Sequence, residues 1–220
     1  MSTGAKQLLY AEFASVARAL GSRHRLEMLE HLAQGERGVE ALAERVGLSI
    51  ANASQHLQQL RRAGLVASRR DGKFVLYRLT DEAVLELMAA LAGVAARNLA
   101  EVDRIRRSYF DDRDSMEPVS RTELMRRTQD DLVTVLDVRP LDEFEVGHLP
   151  GALNIPLGEL EARLAELDPD REIVAYCRGP WCVLSFEAVA ALRARGFDVR
   201  RLEDGLPEWR AAGLPVEIAG

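Results

Sequence analysis

Cysteine is almost absent from this chain, with two residues in 220, Cys177 and Cys182. Two thiols five positions apart are a poor staple for a secreted fold, and in a reducing compartment such a pair points to redox chemistry or catalysis. No apolar run approaches the roughly 20 residues that span a bilayer, so no membrane segment is expected. The N-terminus, Met1-Ser2-Thr3-Gly4-Ala5-Lys6-Gln7, lacks the basic and then apolar order of a signal peptide. A cytoplasmic location is the expectation. An excess of positive charge is also missing, since the formal net charge is −6.

That sum conceals an asymmetry. Residues 1–80 carry 12 Lys and Arg against 7 Asp and Glu, a net of +5, whereas residues 116–220 carry 12 against 20, a net of −8. A basic first part and an acidic second part predict two units with different partners, nucleic acid being the candidate for the first. Charge scatter over a solvated surface would give the same asymmetry. The overall content, 47% hydrophobic and 29% charged, is that of an ordinary globular protein.

Apolar residues at helical spacing predict helices over 6–20, 23–33, 39–46 and 50–63, punctuated by Gly21, Gly35, Gly47 and Gly64. Ser22 and Ser49 stand where caps belong. Two short helices joined by Gly47-Leu48-Ser49 make a helix-turn-helix. Two β-prone runs, 65–70 and 74–79, then flank Asp71-Gly72, a dipeptide suited to a tight hairpin. Helix-turn-helix followed by hairpin is a winged helix.

Several phrases here occur in order: Ala19-Leu20-Gly21-Ser22-Arg23-His24-Arg25-Leu26, Leu42-Ala43-Glu44, Ser54-Gln55-His56-Leu57-Gln58-Gln59-Leu60, Ala63-Gly64-Leu65-Val66 and Asp71-Gly72-Lys73. Over about residues 8–80 the chain resembles the ArsR/SmtB family of dimeric winged-helix repressors. The resemblance implies that Ser49, Asn52, Ser54, Gln55 and His56 lie on a recognition helix facing the major groove of double-stranded operator DNA. It also implies that Arg69, Arg70 and Lys73 sit on the wing near phosphate or the minor groove. Polar side chains early on a helix suit base edges, and Arg and Lys supply attraction independent of sequence. For any one of them, His56 above all, packing or simple exposure is the competing reading.

The chain departs from that family where sensing is usual. The place of a Cys-x-Cys pair reads Gly38-Val39-Glu40, and 81–110 contains neither His nor Cys. His24 and His31 have no thiol or third ligand nearby in sequence and read as surface or packing residues. No metal and no cofactor are expected. Residues 81–109 carry Val84, Leu87, Met88, Leu91, Val94, Leu99, Val102 and Ile105 in one long helical pattern. Such a stripe either pairs with its mate in a homodimer or packs on its own domain. The polar stretch 111–116 is expected to link residues 1–110, a mainly α winged-helix DNA-binding and dimerisation domain, to residues 117–220.

In 117–220 short strands alternate with helices: strands over 133–138, 173–176 and 199–202, helices over 141–146, 157–167, 183–195 and 207–212. The alternation predicts an α/β domain with a mainly parallel sheet, whose reactive groups collect at the carboxyl ends of strands. Asp137-Val138-Arg139 and Cys177 fall at such ends. A thiol between a strand and a helix start is held as thiolate by backbone amides and the helix dipole.

Asp137-Val138-Arg139, Gly147-His148-Leu149-Pro150-Gly151-Ala152, Tyr176-Cys177-Arg178, Gly196-Phe197 and Gly205 with Trp209 resemble a single-domain rhodanese. The resemblance implies that Cys177 is a sulfur-accepting nucleophile in a six-residue loop, 177–182, that includes Arg178, Gly179 and Trp181. It implies loop support from Asp137 and Arg139, and a structural role for His148. Pro180, Trp181 and Cys182 depart from the family's small or polar loop. Pro180 removes an amide donor. Cys182 is either a buried small apolar residue or a resolving thiol that closes a disulfide or polysulfide with Cys177. A phosphatase Cys-x5-Arg loop fails because its Arg position holds Val183. Two functions follow: a regulator that senses a small sulfur donor or thiol oxidant, or a sulfurtransferase beside an independent DNA-binding domain.

Overall fold

The computed structural model describes residues 2–111 and 117–218, and the chain divides into two compact units, Met1–Leu91 and Ala92–Gly220. Of the expected linker, residues 112–116 lie outside the described residues.

The first unit runs α1 (Ser2–Leu20), α2 (Arg23–Gln34), β1 (Arg37–Gly38), α3 (Val39–Arg45), α4 (Ile50–Arg62), β2 (Val66–Asp71) and β3 (Phe74–Leu79). Its core gathers Met28, Leu29 and Leu32 of α2, Leu42 of α3, and Ala53, Leu57 and Leu60 of α4. The 3–4 spacing of these residues puts each set on one helix face, and each leucine so buried stabilises the fold by roughly 1.5–3 kcal/mol. Ser49 caps α4 by accepting from the Asn52 amide at 3.3 Å, and Gly64, at φ 74°, ends it in the left-handed region. The wing is an antiparallel hairpin in which Asp71 pairs with Phe74. The turn residues are therefore Gly72 and Lys73 rather than Asp71 and Gly72, and Gly72, at φ 58°, takes the left-handed position. β1, two residues long and below any sequence signal, adds Arg37 opposite Tyr77 and Gly38 opposite Leu76.

The expected single helix over 81–109 is instead α5 (Ala83–Asn98), α6 (Ala100–Ile105) and a π-helical turn, Arg106–Asp111. The break at Leu99 follows Asn98, whose Nδ2 donates to the Val94 carbonyl at 2.8 Å. A short polar side chain bonded to the backbone competes with the helical ladder.

The second unit continues with α7 (Arg121–Gln129), β4 (Val133–Asp137), α8 (Leu141–Val146), β5 (Leu153–Asn154), two 3-10 turns (Leu157–Ala162 and Leu164–Glu166), β6 (Glu172–Tyr176), α9 (Val183–Arg193), β7 (Val199–Arg201) and α10 (Leu206–Ala211). The sheet order is β5-β4-β6-β7, with every pairing parallel. Both faces are covered, so β6 reads as continuously apolar after Glu172. Ile173, Ala175 and Cys177 enter one core cluster with Val189 and Leu192 of α9, and Val174 and Tyr176 enter the other with Leu206 and Trp209. The period-2 alternation of a strand thus carries Cys177 to the α9 side at the end of β6.

Candidate functional site

Cys177 follows β6 directly and is 1% exposed; Cys182, 5% exposed, precedes α9. Their side chains are joined as a disulfide with Cα atoms 6.2 Å apart, inside the usual 4.4–6.8 Å range. Cys182 is thus both buried and bonded to Cys177. The Cys182 amide donates to the Gly179 carbonyl at 3.1 Å, which curls the loop, while Trp181 at its crest is 44% exposed.

Arg178 turns back and donates from Nε to Glu143 Oε2 at 2.9 Å and from its terminal nitrogen to Oε1 at 3.0 Å. The Glu143 side chain is fully buried and that of Arg178 is 14% exposed. On the other side of the loop, Gly205 lies so close that a Cβ there would meet the Gly179 nitrogen at 2.3 Å. The Gly205 amide donates to Glu208 Oε2 at 3.0 Å, and the Glu208 carboxylate comes within 3.5 Å of where a side chain on Gly179 would begin. Burial pushes the pKa of Glu208 above its ordinary value.

Asp137 and Arg139 form a fully buried pair. Arg139 Nε donates to Oδ1 of Asp137 at 3.0 Å, and its guanidinium also donates to the Gly147 carbonyl at 2.8 Å. Burial works against the Arg139 charge, but the hydrogen bonds and attraction of Asp137 outweigh it and its pKa lies above the ordinary value. The link to the loop runs through Tyr176, whose Oη donates to Asp137 Oδ2 and accepts from the Leu149 amide at 3.1 Å. Burial, then Asp137, raises the Tyr176 pKa well above its ordinary value, so the phenol stays a donor. Asp137 and Arg139 therefore hold the strand ends beneath the loop. His148 stacks on Phe144 with ring centroids 3.7 Å apart.

On the first unit, Asn52 and Gln55 are exposed on one face of α4, with Ser54 half-buried beside them, and Ser49 is the exposed cap. His56 turns toward α2: its Nδ1 lies 3.5 Å from the Arg25 guanidinium and its ring 5.7 Å from that of His24. Burial, then the charge of Arg25, then His24 lower its pKa, so its neutral form is favoured. Arg25 also donates to Gln59 Oε1 at 2.5 Å and to the Arg18 carbonyl at 3.0 Å, tying the end of α1 to α4. Arg69, Arg70 and Lys73 are exposed on the wing, where Arg69 pairs with Glu36 at 2.6 Å and Asp71 at 3.3 Å.

Glu143, Tyr176, Gly205 and Glu208 escaped the sequence reading as site residues. Glu143 has a readable signal, an acidic residue two positions into a helix that follows the Asp137-Val138-Arg139 strand end. Gly205 and Glu208 meet the loop only through the third dimension.

Residues 120–212 match the rhodanese-like domain family, and residues 20–69 match a helix-turn-helix domain family. The HTH-type transcriptional regulator Rv0324 of Mycobacterium tuberculosis is 46% identical over 212 residues, which cover 96% of this chain and 93% of that protein. A sulfurtransferase of Allochromatium vinosum is 34% identical over 85 residues, 38% of this chain and 78% of its own length. Among solved structures, the homodimeric winged helix-turn-helix DNA-binding domain (fragment 1–100) Mb0332 of Mycobacterium bovis, a possible ArsR-family regulator, is 42% identical, with coverage of 43% of this chain and 87% of that one and a TM-score of 0.41. With a winged helix-turn-helix in front, a rhodanese-like domain behind it, and identity to Rv0324 that runs through both, the chain belongs to the HTH-type transcriptional regulators.

Proposed function

We propose that this regulator is a homodimeric, cytoplasmic repressor of the ArsR type whose input is a reactive sulfur species or thiol oxidant, received at Cys177 and Cys182. The observation that carries the reading is the Cys177–Cys182 disulfide in the rhodanese loop. The chain has no other cysteines. The Cys177 thiolate attacks the outer sulfur of a persulfide or polysulfide, and the donor leaves as a thiolate with the electron pair of the broken S–S bond. The Cys182 thiolate then attacks Sγ of the Cys177 persulfide and expels hydrosulfide. Two thiols are oxidised by two electrons and the sulfane sulfur is reduced.

In the DNA-binding half, Asn52, Ser54 and Gln55 would read base edges from α4, with Ser49 capping it and His56 at its inner edge. Arg69, Arg70 and Lys73 would hold the backbone from the wing. A C2 dimer puts two such helices about one DNA turn apart, on a near-palindromic operator.

The test is DNA affinity for the protein's own promoter region, measured before and after polysulfide, for wild type, Cys177→Ser and Cys182→Ser. Wild type is expected to weaken about 5- to 150-fold, the usual span of allosteric coupling, and both variants to stay constant. A wild type that keeps its affinity overturns the proposal. The similarity to a sulfurtransferase favours a second reading, catalytic sulfur transfer through Cys177 alone. Turnover by Cys182→Ser with DNA affinity indifferent to donor would select it.

A further inference from the structure

The charge and shape around the loop bear on which sulfur donor it accepts. A dianionic donor is received best where a guanidinium group faces it, and the loop's own cation is already engaged. Arg178 is locked in a two-point pair with the buried Glu143. The second guanidinium nearby, Arg139, is fully buried on Asp137. Glu208 adds a carboxylate beside Gly179. Around the loop Arg139 is matched by Asp137, Arg178 by Glu143 and Arg121 by Asp204, so the Glu208 carboxylate beside Gly179 supplies the surplus charge. At the loop's crest Pro180 offers no amide, and Trp181 presents an indole that is 44% exposed, followed by the exposed Val183. A buried surplus of negative charge repels a dianion, whereas an indole edge favours an apolar carrier.

The geometry points to an organic hydropersulfide with an apolar carrier group, neutral or singly charged, as the donor for Cys177, with dianionic thiosulfate excluded. This assignment rests on the reading of Cys177 as a sulfur acceptor. From the hydropersulfide R–S–SH, the Cys177 thiolate takes the outer sulfur with its proton and R–S⁻ leaves. From thiosulfate the leaving group would be sulfite. Glu143 and Glu208 are specificity-determining residues here, acting through charge, and Trp181 acts through contact with the carrier.

The experiment uses full-length, reduced protein with Cys182→Ser, so that sulfur gained at Cys177 is retained and read by intact mass. Benzyl hydropersulfide and sodium thiosulfate are compared at equal concentration, each rate divided by that of N-acetylcysteine with the same donor. The normalised hydropersulfide rate is expected to exceed the thiosulfate rate about tenfold or more, tenfold being what one uncompensated unit charge about 12 Å from the reacting atoms supplies at an effective dielectric near 20. Glu208→Gln and, independently, Glu143→Gln raise the thiosulfate rate relative to the hydropersulfide rate, and Trp181→Ala lowers the hydropersulfide rate relative to the thiosulfate rate. Equal normalised rates, or a thiosulfate rate indifferent to both Gln substitutions, overturn the assignment. Sulfur gain from neither donor overturns it together with the acceptor role of Cys177. DNA affinity is measured separately on wild type, so a protein that shows the preference yet keeps its affinity supports the donor assignment and overturns sensing.

Discussion

Asp137 is the residue whose loss has the clearest consequence. Its carboxylate is the counter-charge for a guanidinium that no water reaches, and it also takes the Tyr176 hydroxyl. Asp137→Asn leaves Arg139 charged and uncompensated in the core, and the expected loss of stability is about 3–5 kcal/mol, checked by denaturant unfolding. Glu208 makes the opposite kind of prediction. Its pKa lies above the ordinary 4.5 because burial disfavours the ionised form. The stability supplied by its neutral form is complete below that ordinary value and is lost as pH rises through the folded one. Glu208→Gln keeps an acceptor for the Gly205 amide and removes the charge. It should raise the melting temperature at neutral pH and have little effect near pH 4; a shift that is the same at both pH values would contradict the assignment.

At the level of elements, the loop is clamped between α8 and α10. Gly205→Ala puts a methyl group 2.3–2.6 Å from backbone atoms of Arg178 and Gly179, which have no rotamer to escape into. The expected cost is about 1–3 kcal/mol, with slower reduction and re-formation of the Cys177–Cys182 disulfide, read by thiol titration. On α4 and the wing the expected effects separate by chemistry. Gln55→Ala or Asn52→Ala relaxes sequence preference, whereas Arg70→Ala or Lys73→Ala weakens all DNA alike and lowers the salt slope by about 1. The helices that bury an apolar face, α2, α4 and α9, were legible in the sequence for that reason. α7 was not, because Leu124 is its one buried side chain. Its cap was nevertheless written in Ser120-x-x-Glu123, and the Glu123 amide donates to the Ser120 hydroxyl at 3.3 Å. β1 and β5, two residues each, carry no period to detect.

For the molecule as a whole, the proposed sensing requires that a change at the loop be passed on to the DNA-binding residues. α9 begins one residue after Cys182, and Glu187 on it accepts from Tyr109 Oη at 2.9 Å, in the turn that follows α6. Tyr109→Phe removes that hydrogen bond while leaving the cysteines untouched. It should leave sulfur uptake at Cys177 and disulfide closure as in wild type and shrink the polysulfide-dependent change in DNA affinity. An undiminished change would show that the coupling takes another route. The long apolar pattern over 81–109, read as one helix, is divided at Leu99, and Leu91, Val94, Leu99 and Ile105 remain 41–55% exposed. Periodicity registers apolar spacing and is blind to a single polar residue that bonds back to its own helix.

The sequence by itself determined the two architectures and the position of two cysteines between a strand and a helix. Helical and period-2 spacing, Gly and Ser at helix ends, and a thiol between a strand and a helix are local features, and local physics is enough to read them. The family resemblance implied one recognition helix for Ser49, Asn52, Ser54, Gln55 and His56, of which Asn52 and Gln55 are exposed on α4, and the strand pattern put Asp137 and Arg139 at a strand end. Only the tertiary structure decided that His56 turns toward Arg25 and His24, that Arg178 is engaged by Glu143, and that Gly205 and Glu208 close over Gly179. Those pairings join residues 26 to 35 positions apart. Charge and contact between such distant residues depend on how the sheet and helices pack, which no local pattern encodes.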